Sequence, residues 1–351
     1  MIRFILNRED VAVDLPAGMV TLDFLRRRQG LAGTKEGCRE GDCGACVVLL
    51  GALRNGGVFY RPVNSCLLPL GDAAGRHIVT IEGLNADGLN PIQQAFVEEG
   101  ATQCGFCTPG FIVSFMGHLL SSPQWDVDGA TDALAGNLCR CTGYLSIRRA
   151  VQRVCTALAE PAAPDSPGRV EQLVAEGWLP GYFLEMPNRL RPVVATRPTA
   201  ARADAIPVAG GTDLFVQRPD ELAEADLEFL SRREELRGVR LDGDRCIIGA
   251  ATPWADLEDS PVIRKMLPGI GDCFKLLASR PIRHRATVGG NIINASPIGD
   301  VTILLLALNA GVVLSDGRDQ REVQLREFFL DYKKLAKRPE ELLQHNPHQQ
   351  Y

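Results

Sequence analysis

Apolar and polar positions alternate from the first residues. Ile2-Arg3-Phe4-Ile5-Leu6 and Val11 to Val13 flank the polar turn Asn7-Arg8-Glu9-Asp10, which predicts two short strands. Leu22, Phe24 and Leu25, followed by Arg26, Arg27 and Arg28, predict a helix that Thr21 can cap. Cys46-Val47-Val48-Leu49-Leu50 is a continuous apolar run and predicts a buried strand; His77-Ile78-Val79-Thr80-Ile81 predicts another. From Pro91 the pattern turns helical. Helices are expected over Pro91 to Glu99, over Gly110 to Leu120 with Pro109 in the first turn, over Thr131 to Ala135, and over Leu145 to Leu158. The last carries Ile147, Ala150, Val151, Val154 and Leu158 on one face. Glu160 to Gly168 is rich in Pro, Ala and Ser and reads as a linker.

The chain has 351 residues, 45% of them hydrophobic, enough for two or three domains with their own cores. A net charge of -5 without a long basic run argues against a nucleic-acid partner. No run of 18 apolar residues is present, so no membrane span is expected. The N-terminus has neither the basic start nor the apolar stretch of a secretion signal, which predicts a cytoplasmic protein. The eleven cysteines are odd in number, and eight fall in two tight groups. That pattern suits thiolate ligation in a reducing compartment better than disulfides. Cys155, Cys246 and Cys273 are left over and read as small apolar residues.

The first group is Gly37-Cys38-Arg39-Glu40-Gly41-Asp42-Cys43-Gly44-Ala45-Cys46, with Cys66 following from a separate segment. This is the plant-type spacing for a 2Fe–2S cluster. Gly37, Gly41 and Gly44 let the backbone take positive φ and approach the sulfides with no Cβ in the way. A structural zinc site is the other four-cysteine reading, but zinc ordinarily joins two C-x2-C pairs rather than a three-cysteine loop and one distant partner. The second group joins Cys104 and Cys107 to Cys139 and Cys141. Both halves precede predicted helices, whose N–H groups stabilise thiolates. Alone, this C-x2-C would suit zinc or a dithiol pair equally; beside the first loop it makes a second four-thiolate set.

Two glycine pairs mark the rest of the chain, in Ile206 to Leu214 and in Ala286 to Asp300. Each follows a β-branched stretch and permits a tight turn whose N–H groups can form an anion nest, with hydrogen bonds added from Thr212, Thr287, Asn291 and Ser296. A plain turn is the simpler reading. Neither G-x-G-x-x-G nor a Walker lysine is present. Arg280-Pro281-Ile282-Arg283-His284-Arg285 is either a steering patch for an anionic cofactor or a solvated loop.

The succession of the first cysteine loop, then Gln103-Cys104-Gly105-Phe106-Cys107-Thr108-Pro109-Gly110, then Cys139-Arg140-Cys141-Thr142-Gly143-Tyr144 resembles the iron–sulfur region of the xanthine oxidase family of molybdenum hydroxylases. Val208 to Leu214 and Ala286 to Asp300 resemble the two FAD-binding segments of the same family. The resemblance implies an α+β multidomain fold: a ferredoxin-like β-grasp domain over 1–84, a four-helix 2Fe–2S domain over 85–160, a linker over 161–178, and an α+β FAD-binding domain in two lobes over 179–343. It implies one cluster on Cys38, Cys43, Cys46 and Cys66 and another on Cys104, Cys107, Cys139 and Cys141, with Gln103 reaching the pterin of a molybdopterin cofactor. It implies FAD on Pro207, Val208, Ala209, Gly210, Gly211, Thr212, Asp213 and Leu214. Further flavin contacts are implied from Leu277, where an aromatic residue often stands, and from Thr287, Val288, Gly289, Gly290, Asn291, Asn294 and Asp300.

Iron–sulfur and flavin parts on one chain, without a molybdenum domain, resemble the small subunits of the family's split enzymes. That implies a hetero-oligomer in which a molybdopterin-binding large subunit oxidises hypoxanthine and xanthine to urate, and electrons pass through both clusters to FAD and then NAD. No residue of this chain is then catalytic for the hydroxylation. An aldehyde or aromatic-heterocycle hydroxylase would use the same relay. Residues 344–351 depart from the family pattern and read as an atypical tail in place of a further C-terminal domain, which leaves a non-flavin iron–sulfur protein as the third reading.

Overall fold

The computed structural model of the protein describes residues 1–85, 88–164, 166–195 and 205–349. They form two compact units. One takes the described residues up to 205 and adds 218–227 and 279–281; the other takes 206–217, 228–278 and 282–349.

The first unit begins with the sheet β2-β1-β5-β3-β4, made of Ile2–Leu6 (β1), Glu9–Val13 (β2), Val47–Arg54 (β3), Gly57–Asn64 (β4) and His77–Val79 (β5). β1 and β5 run parallel, and the other pairs are antiparallel. With the helical turn Thr21–Arg28 on one face this is a β-grasp arrangement. β3 is buried on both faces, which is why it reads as an unbroken apolar run. Val48 and Leu50 pack with Phe4, Phe24 and Leu25, while Val47 and Leu49 pack with the helical core. β4 escaped the sequence reading because Arg61 and Pro62 interrupt its pattern. Thr21 does not cap the helix. Val20 stands at the cap, and the Thr21 N–H donates to the Leu68 carbonyl.

The helices that follow are Pro91–Glu98, Thr108–Ser121, Val127–Ala133 and Leu145–Ala157. Asn90 and Gln93 close a capping box at the first. Helix Thr108–Ser121 is buried from Gly110 to Leu120, as expected of a helix that is apolar on all sides. It lies against β3 and β4, and a Cβ on Gly117 would come within 2.8 Å of Pro62. The stretch 161–178, expected to be a linker, contains helix Pro167–Ala175. Arg169 in this helix is buried. Its guanidinium donates to the carbonyls of Leu119, Ser122 and Ala162 and stacks on Trp125. It thereby satisfies the C-terminal carbonyls of the buried helix, a role that composition does not announce.

In the second unit, Ile206–Val208 (β6) pairs with Leu227–Phe229 (β7). The main sheet is built from Val239–Asp242 (β8), Arg245–Gly249 (β9), Gly311–Ser315 (β10) and Gln320–Gln324 (β11), with Phe329–Asp331 (β12) and Lys334–Leu335 (β13) as a separate small ribbon. Leu342–Gln349 (β14) completes the sheet in the order β11-β10-β14-β9-β8. The expected tail therefore supplies the central strand. His345 pairs with Gly249 and with Val313, and the buried Asn346 amide donates to the Gly311 carbonyl. Its polar composition hid it: in a central strand the backbone makes the ladder, whatever the side chains. Among the described residues no helix is long and apolar enough to cross a membrane.

Two buried histidines make the first unit sensitive to acid. His77 Nε2 donates to the Asn7 carbonyl and Nδ1 accepts from the Tyr60 hydroxyl, both at 2.8 Å. Burial pushes His77 and His118 from 6.5 down to about 4. The folded state holds both rings neutral, so their contribution is complete above pH 6.5 and is lost as pH falls toward 4. We predict a lower urea midpoint at pH 5 than at pH 7, with a shallower decline in His118→Leu. An equal decline in that variant would rule out His118 as a contributor.

Candidate cofactor sites

The antiparallel register of β3 and β4 assembles the first thiol group. Val47 lies opposite Asn64, so Cys46, just before β3, stands beside Cys66, just after β4. The Ser65 N–H and hydroxyl both donate to the Cys46 carbonyl, at 3.2 and 2.7 Å. The Cys46 and Cys66 sulfurs are 3.4 Å apart. Their contact draws Cys46 down to about 7 and, with burial, pushes Cys66 up. Burial opposes ionisation of Cys38, yet N–H donors from Glu40, Cys43 and Asp42 outweigh it and hold that thiol low. Cys43 is pushed up, chiefly by burial, and it interacts with Cys38.

The glycines divide the expected work. Gly41 and Gly44 take positive φ, at 84° and 68°. Gly37 does not; a Cβ there would lie 2.7 Å from the Cys43 sulfur, so it supplies space. Arg39, at φ 61°, also adopts the left-handed form. It is tied down by Asp23 and Glu36, at 2.5 and 2.7 Å. Asp23 did not stand out in the sequence, because it meets Arg39 only through the fold, whereas Glu36 is a local partner three residues away.

The second group comes from two helix approaches. Cys107 is the N-cap of helix Thr108–Ser121. Cys139 and Cys141 precede Tyr144, which enters helix Leu145–Ala157 at φ 68° and whose hydroxyl accepts the Cys139 N–H at 2.9 Å. The Cys104 and Cys141 sulfurs are 3.7 Å apart. Cys107 and Cys139 form the other pair. Burial and the Cys139 thiol push Cys107 up to about 12. Cys139 is held low despite its burial, by the Thr142 hydroxyl and by N–H groups of Thr142 and Cys141. Gln103 is exposed at the rim and donates to the Cys141 carbonyl at 3.2 Å.

Each group thus falls into two thiol pairs: Cys38 with Cys43 and Cys46 with Cys66, then Cys104 with Cys141 and Cys107 with Cys139. Two pairs suit two irons bridged by sulfide, with two thiolates on each iron. Among the described residues no three His, Cys, Asp or Glu side chains converge as a single-ion site.

In the second unit the two glycine segments meet. A Cβ on Gly210 would lie 2.1 Å from the Arg285 carbonyl oxygen, and the Arg285 guanidinium donates twice to the Gly210 carbonyl. Gln217 reaches Asn294 at 3.1 Å. Arg283, His284 and Arg285 are buried, so of the two readings open for this run the solvated loop does not hold. Arg283 holds the carbonyls of Phe274, Leu277 and Ala278, and so shapes the turn that carries half-buried Leu277.

The segments differ in what they can offer an anion. After Val208, Ala209 to Asp213 turn through Gly211 at φ 76°. The N–H groups of Gly210, Gly211, Thr212 and Asp213 enter none of the backbone bonds outside helices and strands, among the described residues. The expected second nest is absent. Gly289 and Gly290 lie in the first turn of helix Val288–Asn294, which Thr287 caps. The N–H groups of Val288, Gly289 and Gly290 go to the Thr252 carbonyl, the Ala250 carbonyl and the Thr287 hydroxyl. Asn291 is likewise engaged, accepting from the N–H and hydroxyl of Thr302. Asp300 begins helix Asp300–Ala307 and is exposed.

Comparison with known proteins matches three domains along the chain. Residues 4–68 match the 2Fe-2S iron-sulfur cluster binding domain, residues 80–152 the [2Fe-2S] binding domain, and residues 187–345 the FAD binding domain in molybdopterin dehydrogenase. The fold and the matched domains are those of an iron–sulfur flavoprotein. Its domains are the iron–sulfur and FAD-binding domains of the xanthine oxidase family of molybdenum hydroxylases.

The chain is 29% identical to xanthine dehydrogenase of Oryza sativa subsp. japonica, over 94% of its own length and 30% of the relative's. It is 27% identical to aldehyde oxidase 1 of Rattus norvegicus, over 89% of its length and 28% of the relative's. Among solved structures it is similar to quinoline 2-oxidoreductase from Pseudomonas putida 86, with 36% identity, 44% of this chain and 92% of that chain covered, and a TM-score of 0.39. The chain spans about three tenths of the length of the curated relatives it matches.

Gly37→Ala tests the first site. The new methyl group would press on the Cys43 sulfur. We expect about half of the chain's iron to be lost and the other cluster's paramagnetic signal to persist. Full iron with both signals unchanged would contradict the placement.

Proposed function

We propose that this chain is the electron-transfer subunit of a molybdenum hydroxylase of the xanthine dehydrogenase kind. The observation that carries the reading is the union, on one chain, of two paired-thiol groups with an FAD-binding domain. When bound, the clusters and flavin supply one-electron and two-electron redox chemistry between molybdopterin on a partner subunit and NAD.

The protein's own part is to hold and screen these groups. Cys38, Cys43, Cys46 and Cys66 hold the inner cluster, half-buried against the β-grasp sheet. Cys104, Cys107, Cys139 and Cys141 hold the outer one. Cys104 and Cys141 are exposed there, and so is Gln103, which suits a pterin brought by another subunit. The Gly210 to Asp213 turn offers its N–H groups to the FAD pyrophosphate. Thr287 caps the helix start in which the N–H groups of Val288, Gly289 and Gly290 are already bonded, so this segment supplies structure rather than an open anion nest.

Hypoxanthine and xanthine are the proposed substrates of the partner subunit, on the likeness to xanthine dehydrogenases. The likeness to aldehyde oxidases and to quinoline 2-oxidoreductase supports an aldehyde or aromatic heterocycle as the second reading. The discriminating experiment uses the holoenzyme purified anaerobically through a tag on this chain. We expect molybdenum in the preparation and NADH formation with xanthine. NADH formation with an aldehyde or quinoline alone would establish the second reading, and absence of molybdenum would overturn both.

Gly210→Ala tests the flavin site separately. Its methyl group would collide with the Arg285 carbonyl. We expect loss of FAD with iron content unchanged; full flavin occupancy in this variant would move the pyrophosphate elsewhere.

A further inference from the structure

The two cysteine loops meet at one seam inside the first unit. The Leu138 N–H donates to the Cys43 carbonyl at 3.0 Å. Next to it, Asn137 Nδ2 donates to the Gly44 carbonyl at 3.1 Å. Gly44 is held at φ 68°, and a Cβ on it would lie 2.4 Å from the Gly136 carbonyl oxygen. From the other side comes Gly110, in the helix that Cys107 begins. A Cβ on Gly110 would lie 2.3 Å from the Gly44 carbonyl oxygen. Three backbone segments, each carrying at least one thiol, therefore touch within a few ångströms, and only glycine fits at two of the three approaches.

Among the described residues, Asn137 is the one polar side chain that bonds across this seam to the Gly44 carbonyl. It is 3% exposed, and its Oδ1 has no hydrogen-bond partner among the described residues. Burying a carboxamide oxygen without a partner is costly, typically about 1–3 kcal/mol. An apolar residue of similar size would avoid that cost. What the amide adds is the Nδ2–H donor to Gly44.

We propose that Asn137 is a positioning residue that fixes the spacing between the two clusters by holding the seam that the Leu138–Cys43 hydrogen bond crosses. Cys43 and Cys139 are thereby joined through one hydrogen bond and one intervening residue, Leu138. Electronic coupling decays less steeply along bonds and hydrogen bonds than across open gaps, so loosening this seam weakens coupling without removing a ligand. In each transfer one electron leaves a reduced cluster and the other, oxidised, cluster takes it. No bond forms or breaks and no proton moves. The proposal rests on the two-cluster reading above.

The test compares the full chain with Asn137→Leu, which keeps the size and removes the donor, and with Asn137→Ala. Three quantities are read on anaerobically purified protein: iron content, the magnetic interaction between the two clusters when both are reduced, and the rate of electron equilibration between them after a photoreduction pulse. We expect full iron content in both variants, a weakened and broadened magnetic splitting, and equilibration slowed severalfold. Wild-type splitting and rate in both variants would overturn the proposal. So would loss of iron, which would make Asn137 an assembly residue rather than a positioning one. If the unmodified chain itself lacks one cluster, the two-cluster reading fails instead, and the iron count tells the two failures apart.

Discussion

The pairing of β3 with β4 is the constraint on which the rest depends. Sulfur ligands for one cluster must arrive from segments twenty residues apart, and the hairpin register delivers them. Because Val47 faces Asn64, Cys46 and Cys66 reach the same end of the sheet. A one-residue slip would send every side chain of β3 to the opposite face and carry Cys46 away from Cys66. Burial on both faces prevents that slip, since Val47 and Leu49 serve one core and Val48 and Leu50 the other. The same strand thus sets a ligand position and locks its own register.

The second cluster site inherits its place from the first. Helix Thr108–Ser121 lies on β3 and β4, with Gly117 against Pro62 and Gly110 against the Gly44 carbonyl. Its N-cap, Cys107, is carried to a fixed place relative to the ferredoxin-like loop. Arg169 holds the far end of that helix through two carbonyls, those of Leu119 and Ser122, so the helix is pinned at both ends. The FAD-binding unit uses a related device. Gly210 packs on the backbone at Arg285, and the Arg285 side chain returns to the Gly210 carbonyl.

What the sequence made legible follows from how local each signal is. Cysteine spacing is local, so both thiol groups could be read directly, as could the helices around the second group, except that the one expected over Thr131 to Ala135 spans Val127–Ala133. The continuous apolar run of β3 belongs to the same class. The pairing within each group was not readable, because it depends on the hairpin register and on two helix approaches. The helix holding Arg169 looked like a linker because Pro, Ala and Ser dominate its approach, and the buried arginine reveals itself only through carbonyls supplied by distant segments. Residues 344–349 looked like a polar tail because a central strand is defined by its neighbours β9 and β10. The glycines of 289–290 looked like a second anion nest because Gly-Gly marks a turn in sequence. Their N–H groups are instead taken by Ala250 and Thr287, one of which is far away in the chain.

The most direct test of the central claim is the iron and acid-labile sulfide content of the anaerobically purified chain, read with the paramagnetic spectrum of its reduced form. About four irons and four sulfides per chain, with two distinguishable reduced-cluster signals, is the predicted result for two 2Fe–2S centres. Zinc in place of iron, from cells able to build clusters, would contradict the account at its root.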